Sequence, residues 1–286
     1  MRAPVLPPTA GSRDGHDARA ETVVCLSKMP PFHPAALKLL NISSSSETAI
    51  QDFETVFRSD PALTGDLLLV ANSPLFGNRS RIATIRHALA FLGLERVRSL
   101  ATTIAVGFFV RNQPRTGYIR DIWAHGIATA VVAETLGGLL GLPELYTVGL
   151  THDLGRLAML LTIGPAYEKE LTAEFATIGD STRLEYVLFG MDHGEAGAMV
   201  GHRWGFPDML RTCMSDHHEC EPGPTRDPLS AIQLACRIAD SLGFSEVHWR
   251  EEPPPLELPD ALAHRTELVL ERLRERIAVQ IEAVGR

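Results

Sequence analysis

Apolar residues recur at intervals of three and four along most of this chain, and no stretch alternates with the period of two that a half-buried strand requires. Ile50, Phe53, Val56 and Phe57 share one face of a predicted short helix, with Ser44 and Glu47 at capping-box spacing ahead of it. Asp60-Pro61 opens the next helix, an N-cap acceptor followed by proline at the first helical position. Its stripe is Leu63, Leu67 and Val70, and Asn72-Ser73-Pro74 stops it. Ile85, Ala88, Leu89 and Leu92 form a third stripe that ends at Gly93, a natural C-cap. A fourth, through Val97, Leu100, Ala101, Ile104, Ala105 and Phe108, is broken by the polar, Pro- and Gly-containing run from Asn112 to Gly117.

Past that break the pattern stays helical. It predicts helices over residues 121–140 and 144–163, a stretch reaching Phe189, one starting near His193, and helices over 207–219 and 229–242, the last two separated by a loop. Asp192 and Glu195 mark a capped start, which puts His193 in a first turn where backbone donors are free. In the last stretch Leu262, Val269, Leu273, Ile277 and Ile281 fall at helical spacing among charges, so one face seeks burial, against the bundle or a second copy. The expectation is an all-α protein in two helical lobes. A flexible Pro-, Gly- and charge-rich tail covers residues 1–22, an N-terminal lobe 23–111 and a second lobe 118–244. A linker containing Pro253-Pro-Pro255 covers 245–260, and a C-terminal amphipathic helix 261–286.

Composition narrows the function classes. With 286 residues and 45% hydrophobic content the chain can bury a sizeable core. A formal charge of −8 argues against general nucleic-acid binding, which depends on basic patches. Arg79, Arg81, Arg86, Arg96 and Arg98 do form a mild basic cluster, read first as a solvated face and second as a seat for an anionic nucleotide or acidic partner. Arg13, Asp14, Asp17 and Arg19 stand where a signal peptide would be apolar, and no apolar run approaches a membrane span, so a cytoplasmic protein without a membrane partner is expected. Cys25, Cys213, Cys220 and Cys236 have no C-x-x-C spacing and fit reduced thiols, with packing the default role for Cys213 and Cys220.

The apolar run from Leu145 to Ile163 contains one costly pair, His152-Asp153, and buried charge needs a partner or a metal. Further metal-competent residues, His125, His193, His217, His218 and Asp240, lie on or at the ends of other predicted helices, which is how helical bundles assemble metal sites. Imidazole with carboxylate suits Fe, Mn, Zn or Ni better than calcium. Neighbours on a continuous helix point about 100° apart. Helical geometry alone therefore does not bring His152 and Asp153 to one ion, and each histidine taken singly has an ordinary core or surface explanation.

The order of these residues carries a resemblance. Gly149-Leu-Thr-His-Asp-Leu-Gly155, with His125 upstream and Asp240 downstream, resembles the HD superfamily of metal-dependent phosphohydrolases and its ligand order H…HD…D. More specifically, residues 23–245 resemble the HDOD family, the HD-related output domains of bacterial signalling proteins. The resemblance rests on Met29-Pro-Pro-Phe-His-Pro34, Asp60-Pro-Ala-Leu-Thr64, Ala71-Asn-Ser-Pro-Leu-Phe-Gly77 and His87-Ala-Leu-Ala-Phe-Leu-Gly93 in the first half. In the second half it rests on Trp123-Ala-His125, His193-Gly-Glu-Ala-Gly197, Trp204-Gly-Phe-Pro207, His217-His218 and Ala239-Asp240.

The resemblance implies an HD-like second lobe with a site for one or two divalent ions. His125, His152, Asp153 and Asp240 would hold the first, and His193, His217 and His218 are available to a second, as in the related HD-GYP phosphodiesterases. The function it implies is a non-catalytic regulatory output module, acting on a signalling protein partner or through a diffusible nucleotide ligand, with a homodimer through the C-terminal helix as a further option. The alternative is a metal-dependent phosphodiesterase or phosphohydrolase acting on a nucleotide or cyclic dinucleotide, in which Asp153 and Arg156 would be catalytic. A third reading is a scaffold with a structural ion. Arg156 stands where HD-GYP enzymes carry Lys, and it would either clamp a phosphate bidentately or pair with a nearby carboxylate. The Gly-Tyr-Pro element of those enzymes is missing after His217-His218, and Gly205-Phe-Pro207, which precedes the pair, reads as structural. Many HDOD proteins have lost ligands, whereas this chain keeps every position. No receiver, kinase or GGDEF-like segment is visible in the sequence, so the signal is expected from a separate chain or a diffusible ligand.

Overall fold

A computed structural model describes residues 15–77, 80–111, 117–170, 172–175, 177–218, 227–249 and 266–284. The predicted loop over 221–226, the run 112–116 and the linker prolines 253–255 lie outside them, as do residues 1–14 of the expected tail. The described residues are all-α apart from one two-residue parallel pairing. Fifteen helices follow in chain order: α1 (Gly15–Leu26), α2 (Pro34–Asn41), α3 (Ala49–Arg58), α4 (Pro61–Ala71), α5 (Ile85–Leu92), α6 (Leu94–Arg111), α7 (Gly117–Leu140), α8 (Leu145–Thr151), α9 (Leu154–Ile163), α10 (Pro165–Glu170), α11 (Ile178–Phe189), α12 (His193–Trp204), α13 (Asp208–Asp216), α14 (Pro228–Ser241) and α15 (Thr266–Val284).

In the N-terminal lobe the stripes read from the sequence supply the buried faces: Phe53, Val56 and Phe57 on α3, Leu63, Leu67 and Val70 on α4, and Val97, Leu100 and Ile104 on α6, whereas Ile50, expected on the α3 stripe, is 49% exposed. Asp60 caps α4 as expected, its Oδ1 accepting from Leu63 N at 2.9 Å. The capping box at Ser44 and Glu47 does not form, because α3 starts later, at Ala49. Ser44 instead hydrogen-bonds Glu95 and accepts from Arg98 at 2.8 Å. Three arginines of the basic cluster are engaged by the fold, one exposed, one half-buried and one buried. Arg86 pairs with Glu54 at 2.6 Å, Arg96 pairs with Glu134, and Arg98 is buried. Arg81 is exposed, and Arg79 lies outside the described residues.

Three expectations for the rest of the chain are corrected. The tail ends sooner than residue 22: α1 buries Ala18, Thr22 and Leu26 against the second lobe, and Arg19 donates to Gly190 O at 3.0 Å. A segment reading as charge-rich is thus made helical by tertiary contact. The linker also starts later than residue 245. After α14 the chain turns back, and β2 (His248–Trp249) pairs with β1 (Glu174–Phe175), Glu174 opposite His248 and Phe175 opposite Trp249. Finally, α7 is long and apolar enough to cross a membrane, but 72% of its most apolar window is buried in the protein, which makes it the central core helix here.

Trp204 and Phe206 join the lobes by packing on Phe32 and Phe109, and Trp204 Nε1 donates to Pro30 O at 3.0 Å. The Met29–Pro34 and Trp204–Pro207 segments are therefore one structural joint, and the apolar core runs through it without a break. Helix α15 closes the bundle. It buries Leu273 and Ile277, and Arg276 reaches Glu134 at 2.7 Å while Gln280 donates to Tyr146 OH at 2.7 Å.

Candidate metal centre

The predicted helix over 144–163 is broken at the one place where breaking it matters. Helix α8 ends at Thr151, His152 takes its C-cap position, and Asp153 takes the N-cap position of α9. The carboxylate of Asp153 does not cap the helix it precedes. It turns inward, and its Oδ2 lies 4.0 Å from His152 Nε2. Two glycines make the break useful. A Cβ on Gly149 would lie 3.0 Å from Ala130 Cα, so α8 can sit directly against α7 and its His125. A Cβ on Gly155 would lie 1.8 Å from His193 O, so α9 can approach α12 and its His193 only because the side chain is absent.

The resulting cluster is largely buried: His125, His152, Asp153, His193 and His217 are each at most 4% exposed, and His218 is half-buried. Asp153, His193, His217 and His218 bring one ligand atom each within 4.8 Å of one another, as do His125, His152 and Cys236, and His125, Asp153 and Glu246. Asp153 thus belongs to two groups. Outer partners fix the imidazole tautomers. His152 Nδ1 donates to Gly149 O at 2.6 Å, His125 Nδ1 to Phe244 O at 2.7 Å, and His217 Nδ1 to Met214 O at 3.0 Å. This leaves His152 Nε2 and His217 Nε2 buried without a partner, as are His218 Nε2 and both oxygens of Asp153. His193 Nε2 and His217 Nε2 stand 3.3 and 3.6 Å from Asp153 Oδ1, close but without hydrogen-bond alignment. Burial pushes the His152 imidazole well below its ordinary pKa despite Asp153 beside it. Burial does the same to His218, reinforced by His217 and His193, so both rings are neutral and keep a lone pair to give.

A charged scaffold backs this cluster. Arg156 is fully buried, and its Nη1 donates to Glu185 at 2.8 Å while its Nε lies 2.9 Å from Glu246 Oε1. Burial would lower the guanidinium pKa, but Glu185 and Glu246 hold it well above the ordinary value. Glu185 also accepts from Tyr167 OH at 2.5 Å, from His193 Nδ1 at 2.6 Å and from His193 N at 2.9 Å. Burial alone would raise Glu185, yet Arg156, His193 and these hydrogen bonds bring it down to about 2. Burial and the neighbouring Asp153 push Glu246 the other way, well up, against Arg156. Burial raises Asp153 too, but His193, Glu246, His217 and Arg156 outweigh it and hold its carboxyl well below the usual carboxylate range. Of the two readings of Arg156, the structure realises the buried ion pair.

The structure brings His125, His152, Asp153, His193, His217 and His218 together. It places Asp240 behind His125, Oδ1 lying 3.5 Å from Nδ1, rather than in any of the three donor groups. Glu185, Glu246 and Cys236 escaped the sequence reading. Only α11 carried a signal for Glu185, which shares an i, i+4, i+8 face with Ser181 and Phe189, whereas Tyr186, Val187 and Leu188 point outward. Cys236, on the same face of α14 as Asp240 four residues on, was legible only as a reduced thiol.

The fold and this cluster define an all-α helical domain with a buried donor set that could hold metal. The chain belongs to the HDOD domain family, whose model matches residues 29–220. It is similar in structure to a protein from Marinobacter aquaeolei VT8 provisionally described as a signal transduction protein, at 19% identity, covering 96% of this chain and 67% of that one, with a TM-score of 0.71. It is also similar to a provisionally described phosphohydrolase from Shewanella amazonensis SB2B, at 22% identity, covering 93% of this chain and 96% of that one, with a TM-score of 0.62. At these identities the likeness establishes the fold. An uncharacterized protein of Treponema pallidum (strain Nichols) is 23% identical over 210 residues, 70% of this chain, and the match spans only 39% of that relative's length.

Proposed function

We propose that this chain is a non-catalytic regulatory output module of bacterial signalling, built around a buried centre for one or two divalent ions. The observation that carries the reading is the set of buried donor atoms with no hydrogen-bond partner: His152 Nε2, both oxygens of Asp153, His217 Nε2 and His218 Nε2. Left bare, such a group costs about 1–3 kcal/mol, and a bound ion would satisfy them together. His125, either with His152 and Cys236 or with Asp153 and Glu246, would hold one ion, and Asp153, His193, His217 and His218 the other. An ion there would supply the positive charge that lets several neutral imidazoles and an ionised carboxylate converge. The regulatory reading is supported by closure, since catalytic metal sites keep an open position and all of these residues except the half-buried His218 are almost fully buried. It is supported again by Arg156, whose guanidinium is committed to Glu185 and Glu246 rather than held ready for a phosphate. Output would pass to a signalling protein partner in the cytoplasm, or respond to a diffusible nucleotide.

The second reading is a metal-dependent phosphohydrolase. It is favoured by Asp153 shared between two donor groups, a layout suited to two-metal hydrolysis. Elemental analysis of the purified protein, joined to hydrolysis assays on a generic phosphodiester and on cyclic dinucleotides after Mn(II) or Fe(II) loading, separates the two. Bound divalent metal, no turnover and a lowered melting temperature in Asp153→Ala are expected. Turnover that Asp153→Ala abolishes with folding intact would install the second reading. Protein that takes up no metal and stays folded would remove both.

A further inference from the structure

The HD resemblance assigns Asp240 as the last ligand of the first ion, and the geometry points elsewhere. His125 Nδ1 is committed to Phe244 O at 2.7 Å and has Asp240 Oδ1 beside it at 3.5 Å. The nitrogen left to face an ion is therefore Nε2. On α14, one turn before Asp240, Cys236 Sγ stands 3.5 Å from that Nε2. The ligand atoms of His125, His152 and Cys236 all lie within 4.8 Å of one another. Independently of the cysteine, His152 Nε2 is buried with no partner, and its ring packs 5.3 Å from that of His125.

Resting on the metal reading above, we propose that Cys236 is a metal ligand and that Asp240 is an outer partner that orients His125. His125 Nε2, His152 Nε2 and Cys236 Sγ then form a two-nitrogen, one-sulfur set. Such a set favours thiophilic ions, Zn(II), Co(II) or Fe(II), over Mn(II) and Mg(II), because a thiolate is a soft donor whereas the hard ions prefer oxygen. On binding, the S–H bond breaks, a sulfur–metal bond forms and the proton leaves to solvent, with no change of oxidation state. The centre becomes asymmetric. The thiolate set lies on the α7 and α14 side of His152, and the Asp153, His193, His217 and His218 set on the other, so the two positions differ in ion preference.

Co(II) titrated into the chelator-treated full-length protein tests this without any enzymatic readout. The wild type should develop visible d–d bands together with an intense near-ultraviolet thiolate-to-cobalt charge-transfer band. Cys236→Ser should lose the charge-transfer band while keeping d–d bands and the helical circular dichroism spectrum, and Cys236→Ala serves if the serine variant unfolds. Zn(II) affinity should fall by at least the roughly 10–100-fold that loss of an outer partner costs, and Mn(II) affinity by less. Asp240→Asn should retain the charge-transfer band. Cobalt bound by the wild type with d–d bands alone, or a charge-transfer band that survives Cys236→Ser, overturns the assignment of Cys236 and leaves the metal reading standing. No cobalt uptake at all overturns both.

Discussion

Each lobe buries an arginine, and the two do opposite things. Arg98, 9% exposed, sends Nε to Leu39 O at 2.9 Å and Nη2 to Ser44 Oγ at 2.8 Å and to Ile42 O, and pairs with Glu95 at 2.9 Å. Its donors end on groups that need them, so it is a clamp holding the turn after α2 to α6. Arg156, with no exposure, pairs with Glu185 and Glu246 and stands 3.8 Å from an Asp153 whose oxygens have no aligned donor. The N-terminal lobe has isolated orphans, His33 Nδ1 and Ser73 Oγ, whereas the second lobe, apart from Gln233, gathers its orphans in and around the donor cluster. A satisfied polar network is architecture. A network that converges and stays unsatisfied is a site.

Removing the charges gives the largest contrast. Arg156→Met should cost about 3–5 kcal/mol by leaving buried carboxylates unpaired. Arg98→Met, which mostly loses hydrogen bonds, should cost about 1.5–3 kcal/mol. Urea midpoints at unchanged slope measure both, and a larger loss for Arg98 would break the comparison. Acid should strike the second lobe next. Because Glu185 is held at about 2 from an ordinary 4.5, its stabilisation is fully present above pH 4.5 and lost as pH falls toward 2. That is worth roughly 3 kcal/mol, and it should disappear from the pH titration of stability in Glu185→Gln.

Metal should sharpen the contrast further. At 100 times its dissociation constant, Zn(II) should stabilise the wild type by about 2.7 kcal/mol. Arg98→Met should keep that increment, and Asp153→Asn should lose most of it, as thermal melts with and without chelator will show. Glycines give the last pair. Gly155→Ala drives a methyl into His193 O, and should cost roughly 1–3 kcal/mol and weaken metal uptake. Gly65→Ala, exposed in α4 with nothing within 4 Å of a Cβ, should instead stabilise by about 0.5–1 kcal/mol. Equal effects at the two glycines would deny that α9 depends on close approach to α12.

How much was legible follows from where each signal resides. Helical stripes such as Leu63-Leu67-Val70 are local, so the faces of α3, α4 and α6 could be read before any contact was known. The capping aspartates Asp60 and Asp192 act over three residues and were legible for the same reason. Local signals misled where a tertiary partner overrode them: Ser44 left its capping box for Arg98, and α1 formed on a surface that lies far along the chain. In α11 the apolar Tyr186-Val187-Leu188 run faces out while Glu185 is buried, because the lobe needed a carboxylate under Arg156 more than it needed those side chains.

By itself, the sequence determined the all-α class, the family, and the histidines and aspartate from which a centre can be made. Only the tertiary structure decided that the helix breaks between Thr151 and Leu154, and that Gly149 and Gly155 let neighbouring helices close on the break. Only it put Glu185, Glu246 and Cys236 at the cluster and Asp240 behind His125. The physical reason is range. Periodicity and capping act within a turn or two of helix, whereas the protonation and partners of a buried group depend on charges that arrive from more than a hundred residues away and meet it where water is absent.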